Sequence, residues 1–254
     1  MPVDPGTGIF YRVEGQGPSI LITLPIFASQ AKILGPEAGA VADAYLAGLT
    51  DRYRILLLDY PSIGRSADIA PADLTADRVA ADWLSVATAA GFKRFAIWGY
   101  SWGAAAAIQL AARTDRLTAL VLGGWSPLHG PHPEALAAAR SKLDNPDAGA
   151  LRVLRTPAQY AQWVHYYESI AGFDEAAVLA QVATLPCLLY FGADGDVSEN
   201  GLSIPIASRA RKARPALEAM GWQVRELAGH GHGLAFEPAT VLAVVRPFLD
   251  SHAL

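Results

Sequence analysis

What is scarce in this chain narrows it first. It has one cysteine, Cys187. A single thiol excludes an intrachain disulfide and argues against a cysteine-built metal cluster. Cys187 lies in the apolar run CLLYF, where it reads as a small buried hydrophobe. Charge is sparse as well: Asp, Glu, Lys and Arg make up 17% of 254 residues, and the formal net charge is -4. No block of one sign stands out, so neither a basic footprint for nucleic acid nor a charged membrane patch is present. No apolar run is long enough to cross a bilayer. The opening MPVDPGTG has neither a basic n-region nor an apolar h-region, so it does not read as a signal peptide, and a soluble, cytoplasmic protein is expected.

What is abundant is apolar. Hydrophobic residues form 52% of the chain, and this length suits one domain with room for a small insertion. Seven segments read as strands: FYRV (10–13), SILITL (19–24), RILLLDY (54–60), RFAIWGY (94–100), LTALVLGG (117–124), CLLYFGA (187–193) and WQVREL (222–227). Several are unbroken apolar runs, the pattern of parallel strands covered on both faces. Helical patterns occupy 36–50, 75–90, 102–113, 206–220 and 238–251, with Thr75 as a start signal for the second. Pro247 predicts a kink or a restart in the last one. The alternation predicts an α/β fold, with a mostly parallel central sheet and helices on both faces.

Residues 126–184 break that rhythm. They hold no strand pattern, open on the proline-rich SPLHGPHPE and continue in helical patterns such as AQYAQWVHYYESIAG. The expected organisation is a core of residues 1–125 and 185–254 with a helical cap inserted over 126–184. The polar stretch DVSENGLSIP (196–205) reads as a loop longer than a strand-to-helix turn requires.

Gly99-Tyr100-Ser101-Trp102-Gly103 has the form G-x-S-x-G. Small residues on both sides of a serine let strand and helix approach closely around a sharp turn, which lifts the hydroxyl above the sheet edge. An idle serine in a glycine-rich turn is the plain alternative. The position after a strand, before a helix and in mid-sheet favours a nucleophile, and a helix N-terminus favours developing negative charge.

A serine hydroxyl needs a base. ELAGHGHGLAFEP (226–238) follows the last strand pattern and offers His230 and His232. In a parallel sheet the C-terminal strand ends share one edge, so this loop can reach Ser101. His232 is preferred as the base and His230 as a supporting residue. His129, His132 and His165 fall in the insertion, where lining or surface roles suffice. The acid that orients the histidine should follow another strand. FGADGDV (191–197) supplies Asp194, which is preferred, and Asp196 as the alternative; the other one belongs to an Asp-Gly turn.

Ser, Asp and His in that order, each after its own strand, resemble the α/β-hydrolase fold. The resemblance covers nearly the whole chain. RILLLDYPSIGRSAD (54–68) is similar to that family's fourth strand and Asp-x-Pro-x-x-Gly-x-Ser loop, FAIWGYSWGAA to its nucleophile elbow, LLYFGADGDV to its acid loop and ELAGHGHGLAFEP to its histidine loop. It implies Ser101 as nucleophile, His232 as general base and acid, and Asp194 or Asp196 as the orienting acid. It also implies an oxyanion hole from the backbone N–H of Trp102 and, in the loop LPIFASQ (24–30), that of Phe27. That loop has Pro25-Ile26 where the family carries His-Gly, which sets the chain apart from HGGG-type esterases. Ser101 in place of aspartate sets it apart from haloalkane dehalogenases and epoxide hydrolases of this fold. A small-molecule substrate is expected, with no cofactor, no metal, and neither nucleic acid nor membrane as partner.

A pocket between sheet edge and cap would take its walls from Phe27, Trp102, Trp125 and Trp163, together with Tyr160, Tyr166 and Tyr167. The competing reading is that residues at helical spacing, such as Trp163 and Tyr167, only pack the cap on the core. With several facing the site, the substrate is apolar or aromatic and small to medium in size. The expected function is a serine hydrolase cleaving carboxylic esters or lactones through an acyl-enzyme. The alternatives are a C–C bond hydrolase or lyase using the same triad, and a non-catalytic ligand-binding receptor on a hydrolase scaffold.

Overall fold

In the computed structural model, which describes residues 2–252, the strands in chain order are Tyr11–Glu14 (β1), Ser19–Thr23 (β2), Arg54–Leu58 (β3), Phe95–Tyr100 (β4), Leu117–Gly123 (β5), Cys187–Asp194 (β6), Val197–Glu199 (β7), Leu202–Ile204 (β8) and Gln223–Gly231 (β9). Seven make one sheet in the order β1-β3-β2-β4-β5-β6-β9. β1 runs antiparallel to β3, and the remaining pairings in that sheet are parallel. β7 and β8 pair with each other as a separate hairpin. The helices are Gln30–Leu34 (α1), Pro36–Ala47 (α2), Ala76–Ala89 (α3), Trp102–Ala111 (α4), His132–Ser141 (α5), Ala148–Val153 (α6), Ala161–Ser169 (α7), Glu175–Gln181 (α8), Ile206–Ala219 (α9) and Pro238–His252 (α10). None is long and apolar enough to cross a membrane among the described residues.

Successive side chains of a strand point to opposite faces. Ile20, Ile22, Ile55, Leu57 and Trp98 enter one core layer, with Tyr45 of α2 and Val245 of α10. Leu21, Leu56, Ile97, Leu120 and Leu189 enter the other, with Trp83 of α3, Ala105 of α4 and Leu217 of α9. Burial on both faces is why these strands are written as unbroken apolar runs. The alanines of α4, Ala104 to Ala107, are all buried, and their small side chains let the helix lie close to the sheet.

Local signals account for the ends. Thr75 accepts a hydrogen bond from the Arg78 amide at 3.2 Å, satisfying an N–H that the first turn of α3 leaves unpaired. α10 runs through Pro247 as one helix, so the expected restart does not occur. A proline inside a helix costs about 3 kcal/mol, while burying Val241, Val245, Phe248 and Leu249 is worth about 1.5–3 kcal/mol each.

Residues 126–184 carry α5 to α8 between β5 and β6, with no strand among them. The stretch expected as a polar loop, 196–205, is instead the β7–β8 hairpin. Asn200 at φ 50° and Gly201 at φ 75° make its two-residue turn, the left-handed pair that hairpins favour. Val197, Ile204 and Ile206 pack on Ala138 of α5, which holds the hairpin against the inserted helices.

Candidate active site

β4 ends at Tyr100 and α4 begins at Trp102, so the chain reverses at Ser101 alone. Ser101 sits at φ 53°, ψ -120°, a region serine rarely adopts. Such strain costs about 1–3 kcal/mol and persists where the surroundings over-determine it. Here they do. A Cβ on Gly99 would lie 2.3 Å from the Gly103 carbonyl oxygen, and one on Gly103 would lie 1.7 Å from that of Thr23. The Ser101 amide donates to Gly123 O at 2.8 Å, so the elbow is tied to β5 as well as pressed on β2.

His232 opens a short 3₁₀ turn directly after β9. Its Nε2 lies 2.9 Å from Ser101 Oγ. For the serine to donate, the imidazole must carry its proton on Nδ1. Nδ1 is buried and has no hydrogen-bond partner among the described residues. Burial pulls the imidazole pKa down to about 4, so at neutral pH the ring is uncharged and can accept. His230 pairs instead with Glu237, Nδ1 to Oε2 at 2.9 Å.

Neither aspartate hydrogen-bonds the imidazole. Asp196 accepts from the Ser208 amide at 3.0 Å and from the Ser208 hydroxyl, serving the first turn of α9. Asp194 is exposed at the end of β6, in register with Gly231. The buried position between them is Gly195, which has no side chain to offer. The alternation at this strand end leaves both carboxylates in solvent, so the structure joins Ser101 to His232 but not His232 to an acid.

The Phe27 amide, expected in the oxyanion hole, donates to Gln30 Oε1 at 2.9 Å. Phe27 reaches the site with its ring, edge-on to Tyr60 at 5.3 Å. Trp102 is the first residue of α4, where a helix N–H has no intrahelical acceptor. Asp59 of the Asp-x-Pro-x-x-Gly-x-Ser loop is fully buried. Its carboxylate accepts from the amides of Ser29 and Arg65, both at 2.9 Å, so this motif pins the loop after β2 to the loop after β3.

Ser101 and His232 face a cavity of about 370 Å³ with Phe27, Tyr60, Trp102, Trp125, Trp163 and Tyr167 among its walls. Tyr160 joins them. The Trp102 ring is the hub, 4.9 Å from Tyr60, 5.2 Å from Trp163 and 4.8 Å from Tyr166. Tyr166, also expected in the wall, is fully buried behind Trp102 and outside the cavity lining. Adjacent residues on a helix diverge by about 100°, so Tyr167 takes the cavity side and Tyr166 the core. Among the lining residues that the sequence did not point to are three charged ones: Lys142, Asp147 and Glu199. Lys142 Nζ lies 2.8 Å from Asp147 Oδ2 and 2.5 Å from Glu199 Oε2. They come from α5, the start of α6 and the hairpin, and no one-dimensional pattern connects them.

A parallel sheet with a strained serine elbow and a histidine loop on its C-terminal edge defines a class, and the sequence carries its mark. Residues 38–244 match the alpha/beta hydrolase family, and the chain belongs to that family. Among curated relatives, "Putative carbamate hydrolase RutD" of Klebsiella pneumoniae (strain 342) is 36% identical over 102 residues, 39% of this chain and 38% of that protein. The chain thus matches less than two fifths of that relative's length. Solved structures of similar fold include the enol-lactonase from Burkholderia xenovorans LB400, with a TM-score of 0.70 and 18% identity, covering 97% of this chain and 98% of that one. A thermophilic esterase from Thermogutta terrifontis gives 0.68 and 16%, covering 96% and 93%. At these identities the likeness is one of fold.

Proposed function

We propose that this protein is a serine hydrolase of carboxylic esters or lactones with a small to medium, apolar or aromatic body. The observation that carries the reading is the 2.9 Å contact between His232 Nε2 and Ser101 Oγ, inside an aromatic cavity. Ser101 Oγ attacks the carbonyl carbon while its proton passes to Nε2. The oxyanion is held by the Trp102 N–H and the N-terminus of α4. The imidazolium forms in the same step as the oxyanion, so each charge offsets the other in a site that offers His232 no carboxylate. The carbonyl re-forms, the C–O bond breaks, and Nε2 returns its proton to the leaving alkoxide. Water then repeats the sequence on the acyl-enzyme. With a lactone, the released alcohol stays on the acyl chain. Residues 126–184 act as a cap over the core of 1–125 and 185–254, closing the cavity above the serine.

A second reading, a ligand-binding scaffold without turnover, draws on two observations: the Phe27 amide is occupied by Gln30 Oε1, and His232 Nδ1 has no partner among the described residues. One experiment separates the two. A fluorophosphonate probe labels Ser101 in the hydrolase, and Ser101→Ala loses both labelling and turnover of p-nitrophenyl esters and lactones. Turnover retained by Ser101→Ala sinks the acyl-enzyme reading; absence of labelling favours the scaffold.

A further inference from the structure

The cavity that holds Ser101 is apolar and aromatic over most of its wall, with one charged interruption. Lys142 caps the C-terminus of α5, Asp147 caps the N-terminus of α6, and Glu199 lies on β7. The Lys142 side chain is only 12% exposed, against 49% for Asp147 and 37% for Glu199. A lysine this enclosed needs its charge balanced, and Lys142 has two carboxylates for one ammonium. The group as a whole therefore carries one net negative charge in a wall otherwise built of rings and aliphatic side chains.

Its hydrogen-bonding capacity is not used up. An ammonium has three N–H donors, and two are directed at Asp147 and Glu199. Asp147 Oδ1 accepts from the Ala150 amide at 2.9 Å, so this carboxylate is engaged at both oxygens. Glu199 is paired through Oε2, which leaves its other oxygen, among the described residues, as the open acceptor of the group. Burial alone would push the Lys142 pKa down, but its hydrogen bonds to the Asp147 and Glu199 carboxylates reverse this and raise it, so the lysine stays charged. The hairpin that brings Glu199 is anchored next to this spot, with Asn200 Nδ2 donating to Ser141 O at 3.2 Å.

We infer that Lys142 and Glu199 are specificity-determining residues: they select substrates whose part remote from the scissile carbonyl ends in a hydrogen-bond donor, a hydroxyl or an ammonium, and reject those that end in a carboxylate. A donor group finds the open Glu199 oxygen and a negative field. A carboxylate meets the same field as repulsion, screened only in part because Lys142 is enclosed while Asp147 and Glu199 are part-exposed. The inference rests on the hydrolase reading, since it takes the Ser101 cavity as the substrate site.

The test uses p-nitrophenyl esters of linear acids, four to eight carbons long, ending in methyl, hydroxyl, ammonium or carboxylate. For the wild-type protein, kcat/KM for the ammonium and hydroxyl esters should exceed that for the carboxylate ester of equal length by at least about tenfold, beyond the bias of the same esters in uncatalysed hydrolysis. Glu199→Gln should shrink the ammonium-to-carboxylate ratio by about tenfold. A wild-type ratio near one, or a ratio that Glu199→Gln leaves unchanged, overturns the inference. Thermal shifts with hexylamine and hexanoate need no turnover. A larger rise in Tm with hexylamine, lost in Glu199→Gln, supports the inference even if no ester is cleaved, in which case only the hydrolase reading falls. Equal shifts from both ligands count against it. The wild-type ranking by itself decides the matter if the variant does not fold.

Discussion

Tyr100 holds His232 at two points: its hydroxyl donates to the His232 carbonyl oxygen at 2.8 Å, and its ring lies 5.3 Å from the imidazole at an interplanar angle of 37°. Tyr100 is the last residue of β4 and the neighbour of Ser101, so one strand end positions both the Ser101 hydroxyl and the His232 ring. With no carboxylate on Nδ1 among the described residues, this contact is a restraint that stands in place of an orienting acid.

Tyr100→Phe keeps the ring and removes the hydroxyl. A buried hydrogen bond is worth about 1 kcal/mol net, so kcat should fall roughly five- to tenfold as the imidazole samples unproductive orientations. KM should stay within about twofold, because the hydroxyl is spent on His232 O rather than on substrate. Michaelis kinetics on one ester decide it. A change confined to KM would place Tyr100 in binding rather than positioning.

Acid should affect this protein late. An ordinary histidine protonates near 6.5, but burial lowers His232 to about 4, so the base stays neutral well below pH 6. The kcat/KM profile should be flat from about pH 8 to 5 and fall with a midpoint near 4. A midpoint near 6.5 would mean that the imidazole is solvated in the working enzyme. Stability shifts the same way. Between about 6.5 and 4 the unfolded chain binds this proton and the folded one does not, so acidification destabilises the fold across that window and ceases to do so through this group below it.

The aspartates give a sharper division. Asp194 is exposed and Asp196 is engaged by Ser208, so Asp194→Asn and Asp196→Asn should each keep kcat/KM within about threefold. Asp196→Asn should also lower Tm slightly by weakening the first turn of α9. A loss above about a hundredfold in Asp194→Asn would show that its carboxylate swings onto Nδ1 during turnover, and the dyad would become a triad.

Much of this was legible in one dimension, and the failures share a cause. The seven sheet strands, Thr75 at the start of α3 and the elbow at Ser101 are written in local chemistry: periodicity, a cap and a glycine pair that only a close approach explains. His232 followed from its place after a strand at the same sheet edge. What escaped depends on side-chain direction over one or two residues. Asp194 and Asp196 both follow the right strand, but the buried slot between them belongs to Gly195. Tyr166 and Tyr167 are adjacent, and helix geometry admits one to the cavity. The hairpin had a readable signal in Asn200-Gly201, masked by its polar surroundings. Lys142 and Glu199 meet only because that hairpin folds back onto α5.

Gln30 tests the loop after β2. It is 3% exposed, and its Oε1 takes the Phe27 amide at 2.9 Å, while Phe27 in turn lines the cavity. Gln30 itself does not, so its part is to hold the loop rather than to meet substrate. Gln30→Ala leaves a buried N–H without its acceptor, a loss of about 1–3 kcal/mol, or a Tm lower by roughly 2–12 °C for a domain of this size. Loosening the Phe27 ring should raise KM for apolar esters several-fold and lower kcat less. A Gln30→Ala variant with higher kcat would reverse the assignment: the freed Phe27 amide would then be serving the oxyanion, and Gln30 would be its competitor in the resting protein.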